Sequence, residues 1–218
     1  MSTLNAGTLF KVEGLVALIT GGGSGIGLMM AKALALNGAH KVFIVGRRLQ
    51  VLEAAAKESP HGNIVPIVGD VTSKDSLKAA ADEVKSQVGY LNVLVVNSGI
   101  AGPKTKSILE IKSVHELQAE YWSLDFNEYN DTFVTNVSSA FFTVIAFLDL
   151  LDAGNKKGNL EQKSQVITTS SIGGFNRMPL SGFAYGVSKA ALTHLTKTLS
   201  TTLLPYDIRA NILAPGCK

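Results

Sequence analysis

The chain predicts an α/β protein built on a doubly wound parallel sheet with helices on both faces. Three observations carry this. Six short runs rich in Val, Ile and Leu are continuous rather than alternating, which suits strands buried on both sides. A helix-like stretch fills each gap between them. A glycine cluster marks the junction between the first run and the first helix.

The elements follow in order. LVALIT (15–20) is the first strand, and IGLMMAKALALNGA (26–39) is a helix closed by Gly38. KVFIVG (41–46) is the second strand, followed by the helical LQVLEAAAKES (49–59). NIVPIVGDV (63–71) is the third, and SKDSLKAAADEVKSQVG (73–89) reads as a helix with a polar start and a glycine end. LNVLVVNSG (91–99) is the fourth. The segment 101–125 is a connection, partly helical. VSSAFFTVIAFLDLL (137–151) is apolar on more than one face, implying a helix buried in the core and against a neighbour. It is too short to span a bilayer comfortably and contains Asp149. DAGNKKGNLEQKS (152–164) reads as a solvated loop. SQVITTSS (164–171) and IRANILAPG (208–216) supply the last two strands, with the helical FAYGVSKAALTHLTKTLS (183–200) between them. At 218 residues one domain over 1–218 suffices, and no internal repeat is present.

Composition excludes several functions. Only 17% of residues are charged, the net charge is +3, and the Lys and Arg residues are scattered, so no nucleic-acid footprint is expected. The histidines (40, 61, 115 and 194) lack metal-ligand spacing, so no metal site is expected. The single cysteine, Cys217, precludes an internal disulfide and suits a reducing compartment. The start, MSTLNAGTLF, lacks the cationic and apolar blocks of a leader. A cytoplasmic protein without a membrane partner is the expectation.

The glycine turn, ITGGGSGIG, stands between a strand and a helix, where outward backbone amides and the helix dipole favour an anion. Glycine permits both the tight turn and close approach to a pyrophosphate. The spacing is Thr20-Gly21-x-x-x-Gly25-x-Gly27 rather than G-x-G-x-x-G, and tight turns also use glycine for structure alone. The candidate cofactor-binding residues here are Gly21, Gly23, Ser24, Gly25, Ile26 and Gly27. After the second strand, an NAD enzyme usually presents an acid to the ribose; this chain has Arg47 and Arg48. A guanidinium suits a 2′-phosphate and can stack on adenine, which favours NADP(H) over NAD(H). The alternative is that both arginines simply begin a solvated loop.

Tyr185 and Lys189 stand four apart in the last long helix, on one face, with Gly186 leaving room beside them. A free phenol titrates near 10, and a neighbouring ammonium favours its anion. Together with TGGGSGIG (20–27), GDV (69–71), NSG (97–99), Asn136, Ser171, YGVSK (185–189) and APG (214–216), this pair makes the whole chain resemble the classical short-chain dehydrogenase/reductase family.

The resemblance implies a Rossmann-type sheet and a set of roles. Tyr185 would protonate the carbonyl oxygen as hydride arrives. Lys189 would favour the phenolate and hold the nicotinamide ribose. Ser171 would donate to the substrate oxygen, its choice over the adjacent Ser170 resting on register. Asn136 would orient a water linking Lys189 to solvent. Asp70 and Val71 would flank adenine, and Asn97 with Gly99 would line the cleft. Asp70 could equally be a turn residue and Asn136 a helix hydrogen-bonder. Phe175, Met178 and Phe183 are either pocket-lining or core.

Two departures from the family pattern stand out: NSG replaces the usual NAG, and the sequence has two residues after Gly216 where the family continues through a substrate loop, a helix and a last strand. The expectation is therefore a sheet lacking its last strand, with an uncovered site. Two readings follow. One is an NADPH-dependent reductase of a ketone or aldehyde, or the reverse alcohol oxidation, on a small to medium apolar substrate. The other is a truncated, catalytically weak dinucleotide-binding protein. The resemblance also implies a homo-oligomer through 137–151 and 184–203.

Overall fold

The computed structural model describes residues 12–216. Cys217 and segment 1–11, on which the compartment and leader expectations rest, lie outside them. Six strands form one parallel sheet: β1 (Val16–Thr20), β2 (Lys41–Gly46), β3 (Ile64–Val68), β4 (Val93–Val96), β5 (Gln165–Thr169) and β6 (Arg209–Leu213). Their order is β3-β2-β1-β4-β5-β6, and every adjacent pair runs parallel. The order reverses between β1 and β4, the switch point at which such sheets open a crevice.

Side-chain alternation along the strands builds a core on each face. On one face Leu18, Phe43, Leu94 and Val166 meet Val84, Phe147, Leu151 and Leu192. These last come from α3 (Lys74–Gln87), α6 (Ser139–Lys157) and α7 (Phe183–Thr202). On the other face Ile19, Ile44 and Val95 meet Ala31, Ala35 and Leu52, from α1 (Gly25–Leu36) and α2 (Leu49–Ala56). Small alanines on α1 let that helix lie close to the sheet. Gly154 serves the same end on α6, where a Cβ would lie 2.1 Å from the Leu91 carbonyl oxygen.

Local chemistry sets the helix limits. Ser73 accepts from the Ser76 amide at the start of α3, and Ser113 accepts from Glu116 at the start of α4 (Val114–Trp122). The connection 101–125 is thus partly helical, as its sequence suggests.

Two expectations are corrected. The helix read over 137–151 extends in both directions. Asp125 caps α5 (Phe126–Phe133), which passes through a π-helical turn (Val134–Ser138) directly into α6. Phe126–Lys157 is therefore one helical run, long and apolar enough to cross a membrane by length and composition alone, with 44% of its apolar window buried inside the fold. Residues 152–157, read as loop, form its last turns. Asp152 and Lys156 pair one turn apart, and Gly158, at φ +61°, ends the helix in the left-handed region. β6 is the edge of the sheet among the described residues, and its side chains are alternately exposed and half-buried.

Candidate active site

Above the β1/β4 switch point lies a cleft of about 990 Å³, lined by Gly21, Gly23, Ser24, Arg47, Arg48, Asp70, Val71, Asn97, Gly99 and others. Its floor is held by a polar clamp. The Thr20 hydroxyl accepts from the Asn97 and Ser98 amides at 2.9 and 3.1 Å, while Asn97 Nδ2 donates to the Thr20 carbonyl at 3.1 Å. β1 and β4 are thereby locked at their C-terminal ends, where a ligand needs a rigid edge.

The glycine turn divides its labour. Gly21, at φ +66°, and Gly25, at φ +54°, adopt backbone that a side chain would strain. A Cβ at Gly27 would lie 2.3 Å from the Gly21 carbonyl oxygen, so Gly27 seats α1 on the turn rather than facing the cleft. Ile26 is 43% exposed on the helix surface and, like Gly25, does not line the cleft. Gly22, not singled out by sequence, is needed because a Cβ there would overlap Ile44 at 2.5 Å.

At the β2 end, Arg47 and Arg48 are exposed, and neither forms an ion pair among the described residues. Asp70 Oδ1 accepts from the Thr72 amide at 2.9 Å and the Thr72 hydroxyl at 2.7 Å. Those bonds, with Arg47 nearby, hold its carboxyl below the usual carboxylate range. Asp70 is therefore both a turn residue and a cleft residue.

Beyond Gly99 the remaining candidates converge. Lys189 is buried, 4% exposed, and its Nζ donates to the Thr169 carbonyl at 2.7 Å while lying 5.8 Å from the centre of the Tyr185 ring. Burial pulls its ammonium down to about 8. A Cβ at Gly99 would stand 3.0 Å from Asn136 Oδ1 and 3.3 Å from Lys189 Nζ, so glycine is what lets these groups share one corner. A Cβ at Gly173 would stand 3.3 Å from Ser171 Oγ and 3.5 Å from Tyr185 Cε1, so both side chains lie against that glycine.

The adjacent serines are separated by their environments. Ser170 is buried, its hydroxyl 2.9 Å from the Lys189 carbonyl and 2.7 Å from the Thr193 hydroxyl, both within hydrogen-bonding reach. Ser171 is half-buried, and its Oγ accepts from the Gly173 amide at 3.0 Å, leaving its proton free to be donated outward.

Asn136 lies in the π-helical turn and uses its side chain internally. It accepts from the Ile100 amide at 2.8 Å and donates to the Ile100 carbonyl and Ser188 Oγ, both at 2.9 Å. Ser188 in turn donates to the Tyr185 carbonyl at 2.8 Å. This chain of bonds ties the cleft floor, the π turn and α7 together. The π turn also brings Val134 and Thr135 to the cleft, which no periodicity in the sequence foretells.

Phe175, Met178 and Phe183 are 58%, 48% and 42% exposed, so the core alternative for them is corrected. They lie on or beside the loop joining Ser171 to Tyr185, whose chain direction turns at Gly182 (φ +83°), and Phe183 meets Tyr121 edge-on at 5.0 Å.

A parallel sheet with a glycine turn at its switch point defines a dinucleotide-binding α/β protein. The family model for short chain dehydrogenases matches residues 15–218. The chain is 53% identical over 98% of its length to the short-chain dehydrogenase/reductase PhomF of Diaporthe leptostromiformis, covering 73% of that protein. It is 44% identical, again over 98% of its length, to VdtF of Byssochlamys spectabilis, covering 76% of that protein. Among solved structures, the Pseudomonas aeruginosa RhlG/NADP active-site complex superposes with a TM-score of 0.80 at 29% identity, over 96% of this chain and 75% of that one. The 3-ketoacyl-(acyl-carrier-protein) reductase of Brucella melitensis, complexed with NADH, gives 0.77 at 28% identity, over 94% and 77%. The chain belongs to the short-chain dehydrogenase/reductase family, whose members are oxidoreductases that bind a nicotinamide dinucleotide.

Proposed function

We propose that this protein is an NADPH-dependent reductase of a ketone or aldehyde on a small to medium apolar substrate, or catalyses the reverse oxidation. The observation that carries it is the grouping of Ser171, Tyr185 and Lys189 around Gly173 and Gly99, bordering a cleft lined by Gly99 and by Arg47 and Arg48, which form no ion pair among the described residues. Gly21, Gly23 and Ser24 would meet the pyrophosphate, Asp70 and Val71 the adenine, and Arg47 with Arg48 a 2′-phosphate. When bound, the dinucleotide supplies or accepts a hydride.

The chain's own residues handle the proton and the developing charge. Ser171 Oγ, already accepting from Gly173, donates to the substrate oxygen and stabilises its negative charge. The Tyr185 hydroxyl gives that oxygen its proton. Lys189, held by the Thr169 carbonyl, supports the resulting phenolate as an adjacent cation. Asn136 fixes the Ile100 backbone beside them, so its first task is to hold the site's wall; its water-orienting role belongs to the same proposal.

The relatives' names point both ways on cofactor, one neighbour being an NADP complex and another an NADH complex. Two arginines that form no ion pair among the described residues, and no carboxylate directly at the end of β2, favour NADPH here. Exposed Phe141, Phe142 and Ile145 on the long helical run, with Val187 on α7, support a homo-oligomer; a cytoplasmic location belongs to the same proposal.

A second reading, a dinucleotide binder with weak turnover, is favoured by the exposure of Ile172, Phe175, Met178 and Leu180 between Ser171 and Tyr185. Water at an open site weakens electrostatic catalysis. The test is NADPH oxidation across a panel of apolar ketones and aldehydes, with Tyr185→Phe beside the wild type. Turnover that Tyr185→Phe lowers by roughly 100-fold or more supports the reductase, in line with general-acid contributions. Tight NADPH binding with no turnover on any carbonyl supports the binder, and turnover unchanged in Tyr185→Phe defeats the mechanism.

A further inference from the structure

Ser188 is buried on α7, and its hydroxyl is engaged twice. As a donor it bonds the Tyr185 carbonyl at 2.8 Å, one turn back on the same helix. As an acceptor it receives Asn136 Nδ2 at 2.9 Å, across the gap to the π turn. Residues 185, 188 and 189 share one face of the helix, so this bond forms on the side that carries the phenol and the ammonium. Toward β5 the helix is held by the Thr168–Thr196 pair at 2.8 Å and by Lys189 Nζ on the Thr169 carbonyl at 2.7 Å. Toward the π turn, Ser188 makes the one side-chain hydrogen bond among the described residues. Its partner Asn136 grips both main-chain groups of Ile100, which lines the cleft. Asn136 Oδ1 and Lys189 Nζ both press on Gly99.

We propose that Ser188 is a positioning residue for the reaction: its hydroxyl fixes how α7 seats against the π turn, and with it where the Tyr185 phenol and the Lys189 ammonium stand. The inference rests on the reductase reading above. A hydrogen bond is directional, so this one restrains the helix against sliding and turning where packing alone restrains it less. Proton donation by Tyr185 must be aligned with the substrate oxygen, and a misplacement of about 1 Å can cost on the order of 100-fold in rate. The fold depends on the bond far less. Without the hydroxyl, Asn136 Nδ2 still donates to the Ile100 carbonyl, and the Tyr185 carbonyl keeps the Lys189 amide as its helical partner. No buried group is left wholly unpaired, so the loss falls on alignment more than on stability.

The test compares Ser188→Ala and Ser188→Cys with the wild type on the best carbonyl substrate of the panel, well below the melting temperature. Both substitutions should lower kcat by roughly 10- to 100-fold, with KM and the NADPH dissociation constant within about twofold of the wild type, the split expected when alignment rather than binding is lost. Cysteine nearly fills the space of serine but is a poor hydrogen-bonder, so it separates the bond from the packing. Melting falls by roughly 2–4 °C, the worth of one neutral hydrogen bond in a chain of this size. Thr196→Val, which removes a buried hydroxyl farther along α7, is the control: it lowers melting to a similar extent and leaves kcat unchanged. A normal kcat in Ser188→Ala overturns the inference and leaves the reductase reading intact. So does a loss in Ser188→Ala that Ser188→Cys restores, which assigns the effect to packing, or an equal loss in Thr196→Val, which assigns it to a loosened helix. A wild type that turns over no carbonyl of the panel defeats the reductase reading, and this inference with it.

Discussion

Replacing Lys189 by Met probes the cost of keeping an ammonium where the site needs it. The side chain is 4% exposed, one carbonyl accepts from it, and burial lowers its pKa from an ordinary 10.5 to about 8. The sign follows from proton counting. Between pH 8 and 10.5 the unfolded chain holds a proton at this site that the folded chain has lost, so stability rises with pH across that window. Below it both states are protonated, and the folded protein bears the full burial penalty, about 3 kcal/mol. Between pH 7 and 9.5 about 2 kcal/mol of that penalty disappears. The assay is urea unfolding of wild type and Lys189→Met at those two pH values, in a Tyr185→Phe background so that the phenol does not titrate. The gap between the two proteins should shift by about 2 kcal/mol in favour of the lysine form at pH 9.5. A shift near zero, or of opposite sign, would refute the claim that packing around Lys189 Nζ excludes water.

Other outcomes follow from the same geometry. Ser170→Ala should lower the melting temperature, since it strips a buried bond to α7, while Ser171→Ala should lower turnover with little change in melting; thermal scans beside steady-state rates distinguish them. Gly27→Ala should cost 3 kcal/mol or more, on the order of severe overpacking, because its Cβ would strike the Gly21 carbonyl at 2.3 Å; urea unfolding measures it. Arg47→Ala should reduce the preference for NADPH over NADH by about 10-fold, the loss of one exposed charge-assisted contact, and an unchanged ratio would remove the arginine from the cofactor reading.

Much of the fold is present in the sequence because parallel strands buried on both faces must be continuous apolar runs. All six strands, their order along the chain and the glycine turn follow from that constraint. Tyr185 and Lys189 were legible for a similar reason: a four-residue helical spacing fixes their common face before any tertiary contact forms. Residues 126–157 show the opposite case. Asp125 and Gly158 are ordinary cap signals, yet the polar residues 127–131 and 152–157 hid a run that tertiary packing and a π turn keep continuous.

What the sequence by itself determined is the set of local geometries: strand, turn, helix, and the one-turn pairing of a phenol with an amine. Only the tertiary structure decided which side chains share a space. Ser170 and Ser171 are chemically identical, and alternation at the end of β5 sends one into the core against α7 and leaves the other beside Gly173 and Tyr185. Asn136 became the brace of Ile100 because the π turn rotates it inward. Hydrogen bonding is directional and burial is collective, so neither can be read from a residue's type until the chain has closed around it.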